Sequence, residues 1–351
     1  MTQNFLLYGA SGYTGALVAR MAAGRGMTPI LAGRDASKVA PLASEFGFEQ
    51  RTFGLDDPRA LDAALEDVPV VLHCAGPFSR TSKPMADACL RTGTHYLDIT
   101  GEVTVFESLA ARDAEARDAG VMLLPGVGFD VVPSDCLAAH LKSRLPSATR
   151  LTLAISGTGR LSHGTMTTMV ENMDRGGLVR RGGRLTPVPA AWKTREVDFG
   201  RGPVTATTIP WGDISTAFHS TGIPNIETYA ALPSSARLMM KASRPFRRLL
   251  ATPRVKAYMK GRVNRMPAGP SDEERRRGAS YVWGEVEDDA GARRASRLRG
   301  PEGYTLTAMS ALAAAAHVLA GRHQPGFQTP SRAYGPDFIL EIEDVTREDL
   351  D

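Results

Sequence analysis

The chain has 351 residues, of which 42% are hydrophobic and 23% charged, so it can bury a sizeable core and exceeds what one core usually fills. A formal charge of +4 with a pI near 9.0 is too mild to argue for nucleic acid as a partner. Three cysteines, Cys74, Cys89 and Cys136, lie far apart without C-x-x-C spacing, which excludes a disulfide or zinc framework and favours a reducing cytoplasm.

The first element is an apolar run, Phe5-Leu6-Leu7, that reads as a buried parallel strand and leads into Gly9, Gly12 and Gly15. An Ala/Leu/Val-rich helix from about Thr14 to Ala23 follows. A strand, tight turn and helix in this order leave the first N–H groups of the helix pointing outward, where the helix dipole favours a pyrophosphate. The spacing is G-x-x-G-x-x-G, and Ala16 after the last glycine excludes a Walker phosphate loop. The glycine turn also interrupts any secretory leader at once. Gly9, Ser11, Gly12, Tyr13, Thr14 and Gly15 are the candidate diphosphate cradle.

Pro29 to Ala32 is the second predicted strand, closing at Gly33-Arg34-Asp35. An acidic side chain at this strand end would accept from the ribose 2'-hydroxyl of NAD, whereas a small residue and an arginine receive the 2'-phosphate of NADP. Gly33 and Arg34 give the second pattern, with Lys38 as a helper; the plainer reading of both cations is a solvated helix start. Asp35 is placed to cap the next helix, which Gly47 ends. A short strand at Arg51 to Phe53 and a helix from Pro58 to Leu65 follow, then the clearest buried strand, Val68 to Cys74. Its end, Ala75-Gly76-Pro77, should pass beneath the ribose and nicotinamide. A helix from about Lys83 to Thr92, a strand His95 to Asp98, a helix Phe106 to Ala119 and a strand Val121 to Leu124 complete an alternation that predicts a doubly wound parallel sheet, the Rossmann arrangement.

Past Asp135 the character changes. A helix from Cys136 to Arg144 precedes Leu151 to Ile155, a glycine- and threonine-rich passage at Ser156 to Thr168, threonine-rich alternation at Val204 to Ile209 and a further alternation at Tyr281 to Val286. These predict an antiparallel or mixed sheet in a second α+β domain for substrate and for the subunit contacts of a homodimer. The expected division is 1–135 for the nucleotide, 136–302 for the second domain with a basic insert at 234–270, and 303–351 returning to the first domain.

The motifs GASGYTG, AGRD at Ala32 to Asp35, CAGPF at Cys74 to Phe78, HYLDITGE at His95 to Glu102 and PGVGFDVVPSD at Pro125 to Asp135 resemble those of saccharopine dehydrogenase (saccharopine reductase)-like oxidoreductases. More closely, they resemble the branch that includes trans-acting enoyl reductases of lipid and polyketide synthesis. The resemblance continues through Ser162 to Thr165, Pro210 to Asp213 and Gly303 to Thr307. It implies a Rossmann domain, NADP, and hydride transfer to a C=N or C=C bond, in the second case on a carrier-bound acyl chain. A nucleotide-holding or membrane-associated adaptor without turnover is the contrasting reading.

Between Glu227 and Asp272 there is no acidic residue, yet ten cations occur from Arg237 to Arg265, which leaves the rest of the chain net acidic. Leu238, Met239, Phe246, Leu249, Leu250, Val255, Tyr258 and Met259 interleave with them, a pattern of short amphipathic helices broken at Pro245 and Pro253. One reading is a solvated lid packed on its own domain; the other is a docking surface for an acidic carrier protein or an anionic membrane. The longest apolar stretch, Leu306 to Ala320, is alanine-rich, contains His317 and falls short of a membrane span.

For the chemistry, no zinc spacing or nucleophile elbow appears. Tyr96, Asp98, Glu102 and Asp130 follow strands whose carboxyl ends should face the cleft, where a tyrosine could donate to an oxyanion and a carboxylate could orient substrate. The plainer reading makes Asp98 a cap of the Thr100-Gly101 turn and Asp130 a cap of the helix after Pro133. From the second domain His163 is the candidate proton donor. Ser162 and Thr165 are candidate substrate contacts, together with Glu102 and Phe129.

Overall fold

The computed structural model describes residues 4–157, 160–174 and 176–350, with the side chains of Arg247 and Arg248 outside that description. In chain order the elements are β1 (Leu6–Tyr8), α1 (Tyr13–Gly24), β2 (Ile30–Gly33), α2 (Ala36–Phe46), β3 (Gln50–Thr52), α3 (Pro58–Leu65), β4 (Val70–His73), α4 (Phe78–Thr92), β5 (His95–Asp98), α5 (Val103–Ala110), α6 (Asp113–Asp118) and β6 (Met122–Leu124). Then come α7 (Val132–Arg144), β7 (Arg150–Gly157), α8 (His163–Asn172), β8 (Gly177–Arg181), β9 (Arg184–Val188), β10 (Thr194–Asp198), β11 (Pro203–Thr208), α9 (Asp213–Thr221) and β12 (Asn225–Ala231). The basic insert forms α10 (Ser234–Ala242), α11 (Arg247–Leu250) and α12 (Pro253–Val263). The chain closes with α13 (Asp272–Arg277), β13 (Ala279–Glu287), β14 (Arg293–Pro301), α14 (Gly303–Leu319), β15 (Gly326–Phe327), α15 (Pro330–Tyr334) and β16 (Thr346–Leu350).

Two units result: residues 1–132 with 304–333, and residues 133–303 with 334–351. In the first, wholly buried strands such as Leu6–Tyr8 and Val70–His73 pair only in parallel, as strands covered on both faces must. The seven strands run β15-β6-β5-β4-β1-β2-β3. The chain therefore builds outward from β1 through β2 to β3, then restarts at β4 and builds the other way. The reversal between β1 and β4 is the switch point at which such sheets hold ligands, outside the strands' carboxyl ends. The core around it includes Leu6, Tyr8, Val71, Met85 and Tyr96.

Local signals account for several helix starts. Asp57 accepts from Arg59 N (3.0 Å) and Ala60 N (3.2 Å), with Pro58 in the first turn. Helix α4 differs from expectation: it begins at Phe78 and runs through Pro84, because an acceptor from elsewhere in the chain holds its first turn. The helix expected over Phe106 to Ala119 is two, α5 and α6. Arg112, between them, ties to Asp87 (2.7 Å) and Glu115 (2.7 Å).

The second unit is a nine-stranded mixed sheet, with the path β10-β11-β12-β7-β13-β14-β16 and β8 and β9 alongside β12. Only β12 and β7 pair in parallel on that path. The threonine-rich segment is the strand β11, and the alternation from Tyr281 to Val286 is in β13. Helix α7 covers one face, with Leu141 packed where a side chain at Gly284 of β13 would stand. The tail departs from expectation. Only α14 to Ala333 joins the first unit, while residues 334–351 belong to the second, where β16 pairs with β14 from Ala295↔Leu350 to Arg299↔Thr346. Asp349 is held there by His140 (2.8 Å) and Arg144 (3.3 Å).

At the end of β4, His73 is fully buried among the rings of Tyr8 (5.5 Å), Phe78 (5.4 Å) and Tyr96 (6.3 Å), and burial drives its pKa down to about 3. The folded state thus refuses a proton that the unfolded chain takes up below about 6.5, so stability is present at neutral pH and lost as pH falls. The variant His73→Phe keeps a ring in the cluster and removes that titration. Its stability relative to the parent, read by urea unfolding, is expected to rise by about 2 kcal/mol between pH 8 and pH 5; a constant difference would show that His73 does not titrate in this window.

Candidate functional site

The turn after β1 carries the geometry of a backbone cradle. Gly9 adopts φ +85°, and a Cβ there would stand 2.9 Å from the Ala75 nitrogen, so the β1 and β4 turns approach backbone to backbone. At Gly15 a Cβ would lie 2.2 Å from the Gly9 carbonyl oxygen, so a side chain at this position would push α1 off the strand. Ser11 and Gly12 are exposed. No side chain caps α1, and no acidic residue sits in its first turn. A bare helix start facing the switch point suits a diphosphate, and the residues present fit the phosphate bridge of a dinucleotide.

The end of β2 fits the adenosine side. Gly33 is buried with no side chain to occupy the space over the ribose, and Arg34 is exposed with no hydrogen bond or ion pair to another described residue. Asp35 is turned to α2 as its cap, accepting from Ser37 N (3.1 Å) and Ser37 Oγ (2.7 Å). Those bonds hold its carboxyl below the usual range. Lys38 is exposed and pairs with Asp35 at 3.5 Å. No carboxylate therefore fills the position that would select against a 2'-phosphate.

At the end of β4, Ala75, Gly76 and Pro77 form the third turn, with a cis Gly76–Pro77 bond and Thr81 Oγ1 donating to Ala75 O at 2.7 Å. Helix α4 starts on Pro77, which offers no capping side chain. Glu102 supplies the acceptor instead, taking Phe78 N (2.8 Å) and Ser79 N (3.2 Å). Glu102 is thus a distant cap for α4 and holds this turn in place. The expectation for Glu102 is a substrate contact; the bonds its carboxylate makes among the described residues are these two. The absence of Ser, Asp, Asn or Thr at the helix start was the available signal that an outside acceptor was needed.

Tyr96 and Asp98, expected at the cleft, bond to one another. Both are fully buried, and the Tyr96 hydroxyl donates to Asp98 Oδ2 at 2.5 Å. Asp98 Oδ1 accepts from Thr100 N (2.9 Å) and Gly126 N (2.8 Å), and its carbonyl accepts from Val127 N (2.7 Å). The carboxyl therefore ties the turn after β5 to the loop after β6. Burial lifts its pKa to about 6.

Asp130 stands apart from these. It is half-buried, and its carboxyl makes no hydrogen bond to another described residue, so it is not the cap expected for α7. Its Oδ2 would lie 2.6 Å from a Cβ at Gly101. Burial raises its pKa to about 6. The loop that carries it is pinned by α14, the helix in the segment expected to return to the first domain: Phe129 N donates to Thr307 Oγ1 (3.0 Å) and Ser310 Oγ donates to Val127 O (2.7 Å). Tyr304 of the same helix packs edge-on against Tyr13 at 5.1 Å.

In the second unit, Ser162 is the N-cap of α8, accepting from Thr165 N (3.3 Å), and its hydroxyl meets Thr165 Oγ1 at 3.2 Å. Both serve the helix start rather than presenting free hydroxyls. His163 Nε2 donates to Met266 O at 2.6 Å, and its backbone N donates to Ala268 O, so the ring braces the stretch after α12. Thr158 and Gly159 of the glycine-rich passage lie outside the described residues.

Comparison with known proteins agrees with this geometry. Two trans-acting enoyl reductases are similar to the chain: that of Mycobacterium ulcerans is 33% identical over 169 residues, covering 45% of this chain and 38% of that protein, and that of Mycobacterium tuberculosis strain H37Rv is 33% identical over 149 residues, covering 40% and 36%. The alignments thus span under two fifths of these relatives' length. Two solved structures share the fold at low identity. Saccharopine dehydrogenase (L-Glu forming) from Saccharomyces cerevisiae superposes with a TM-score of 0.67 at 12% identity, covering 99% of this chain and 100% of that one. Homospermidine synthase from Legionella pneumophila, solved with NAD, gives 0.69 at 9%, covering 100% and 92%. Residues 5–124, the segment with the glycine cradle and the Gly33-Arg34 strand end, match the family model of the saccharopine dehydrogenase NADP binding domain.

Proposed function

We propose that the protein is an NADP-dependent oxidoreductase that reduces the C=C bond of a carrier-bound enoyl thioester. The observation that carries the reading is the pairing of a side-chain-free diphosphate cradle at Gly9 to Gly15 with an unpartnered guanidinium at Arg34. The similarity to trans-acting enoyl reductases over the nucleotide-binding part supports the choice of substrate class. Gly12, Tyr13 and Thr14 would hold the diphosphate, Arg34 with Lys38 the 2'-phosphate, and Ala75 to Pro77 the ribose and nicotinamide end. When bound, NADPH supplies the hydride.

What the chain itself must add is a proton at the α-carbon once the β-carbon has been reduced. Asp130 is suited to donate it, because its carboxyl lies in the loop after β6, on the carboxyl side of the parallel sheet, and keeps its proton to about pH 6. Glu102 and Asp98 act at one remove, by fixing the turns on either side.

Consumption of NADPH on addition of an enoyl-pantetheine carrier thioester tests the reading. Turnover is expected, with kcat/KM falling as pH rises through about 6, because Asp130 then loses its proton. In Asp130→Asn that limb should vanish and the rate drop by about 10²-fold or more. Tight NADPH binding with no reduction of enoyl thioesters would defeat the substrate assignment. An unchanged pH profile in Asp130→Asn would defeat only the proton donor.

A further inference from the structure

The helices of the basic insert present an apolar surface to solvent. Leu238 and Met239 on α10, Leu249 on α11, Tyr258 on α12 and the nearby Phe246 are each between 58% and 70% exposed. The expectation of a lid packed onto its own domain is met only in part: Val263 is buried and Leu250, Val255 and Met259 are half-buried, while these five side chains face solvent. Polar groups fasten the insert as well. Lys256 Nζ binds Asp174 Oδ1 (2.7 Å) and Lys260 Nζ binds Glu171 Oε1 (2.5 Å), while Arg244 donates to Ala190 O (2.9 Å) and Arg237 to Thr205 O (3.1 Å).

Four other cations, Lys241, Arg254, Arg262 and Arg265, are exposed and have no carboxylate partner among the described residues. Arg262 and Arg265 flank Tyr258 and Met266 around an open depression of the surface. With no acidic residue from 228 to 271, nothing in the segment neutralises them. Five exposed large apolar side chains among uncompensated cations match one surface better than others, the headgroup and upper acyl region of an anionic bilayer. A second copy of the chain would bring like charges together. An acidic carrier protein would satisfy the cations but would not call for five large apolar side chains spread over several helices.

We infer that the 234–266 helices are a peripheral membrane-docking surface, selective for anionic lipid, which inserts Leu238, Met239, Phe246, Leu249 and Tyr258 and pairs Lys241, Arg254, Arg262 and Arg265 with lipid phosphates. Among the described residues no helix is long and apolar enough to cross a membrane, so attachment rests on this face. The inference is independent of the enoyl reductase reading, since it concerns neither the cradle nor Asp130.

Vesicle flotation with the full chain tests it. The protein should float with phosphatidylcholine vesicles that contain phosphatidylglycerol and remain in the soluble fraction with phosphatidylcholine alone, and added salt should release it. The variant Arg262→Gln/Arg265→Gln should lower partitioning by about thirty-fold, since each cation near an anionic surface contributes roughly five-fold. Phe246→Ser/Leu249→Ser should release the protein even at low salt. Both variants should bind NADPH as the parent does, which shows that they fold. Absence of flotation with anionic vesicles, or equal flotation on neutral ones, would overturn the proposal. So would binding of an acidic acyl carrier protein, or concentration-dependent dimerisation, that these variants abolish while vesicle binding stays weak.

Discussion

Replacing Arg34 with alanine is expected to weaken NADPH binding by ten- to a hundred-fold, as read by titration calorimetry, while changing NADH binding less than about two-fold. The asymmetry follows from what Arg34 touches. It is exposed and free of internal partners, so its removal leaves no buried group unpaired, and the fold should lose under about 0.5 kcal/mol. A charge-assisted bond between a guanidinium and a phosphate contributes about 1.5–3 kcal/mol, which sets the loss for the phosphorylated coenzyme. Asp35 cannot take over the ribose hydroxyl in the variant, since its carboxylate caps α2 through Ser37. Lys38 remains nearby and limits the loss; adding Lys38→Ala should carry it further. Equal losses for both coenzymes would place Arg34 at the diphosphate or outside the site.

Local chemistry was legible in the sequence wherever cause and effect lie within a few residues. Gly9, Gly12 and Gly15 are read correctly because a strand-to-helix turn writes its own steric needs into adjacent positions. Asp35 and Asp57 are legible as caps because the N–H groups they serve lie two or three residues on. The doubly wound sheet follows from apolar runs too short and too uniform for any exposed face. What the sequence could not reveal is which acidic side chain near a strand end braces a turn and which faces ligand. Glu102 reaches back to Phe78 and Ser79, and Asp98 reaches forward to Gly126; neither spacing leaves a periodic trace. Tyr96 reads as a cleft residue by its place in the chain, yet period-two alternation in β5 cannot say which face is core when both faces are buried. The tail failed for a similar reason. Thr346–Leu350 is polar enough to pass for an exposed end, and only its pairing on the edge strand β14 makes it part of the second sheet.

The second large effect concerns Asp98, and it separates a brace from a catalyst. Asp98→Ala should destabilise the protein by about 3–5 kcal/mol, because the Tyr96 hydroxyl and the Thr100 and Gly126 N–H groups would be left buried without their acceptor. Asp98→Asn should be far milder. Its carbonyl oxygen can accept from Thr100 and Gly126 as Oδ1 does, and its amide can donate to the Tyr96 oxygen. The pH dependence has a definite sign. Burial raises the folded-state pKa of Asp98 to about 6, above the ordinary value of 3.8, so the protonated carboxyl is the form the fold prefers. The stability it contributes is fully present below the unfolded value and is lost as pH rises through the folded one. The asparagine variant has no such loss, so between about pH 4 and pH 7 its stability relative to the parent should improve by about 2 kcal/mol. Urea unfolding at the two pH values measures this directly. Turnover supplies the complementary readout: a brace tolerates asparagine and keeps most of its rate, whereas a group in contact with substrate would lose it while the fold stays intact. A stable, inactive Asp98→Asn protein would return Asp98 to the catalytic set and require the loop after β6 to open.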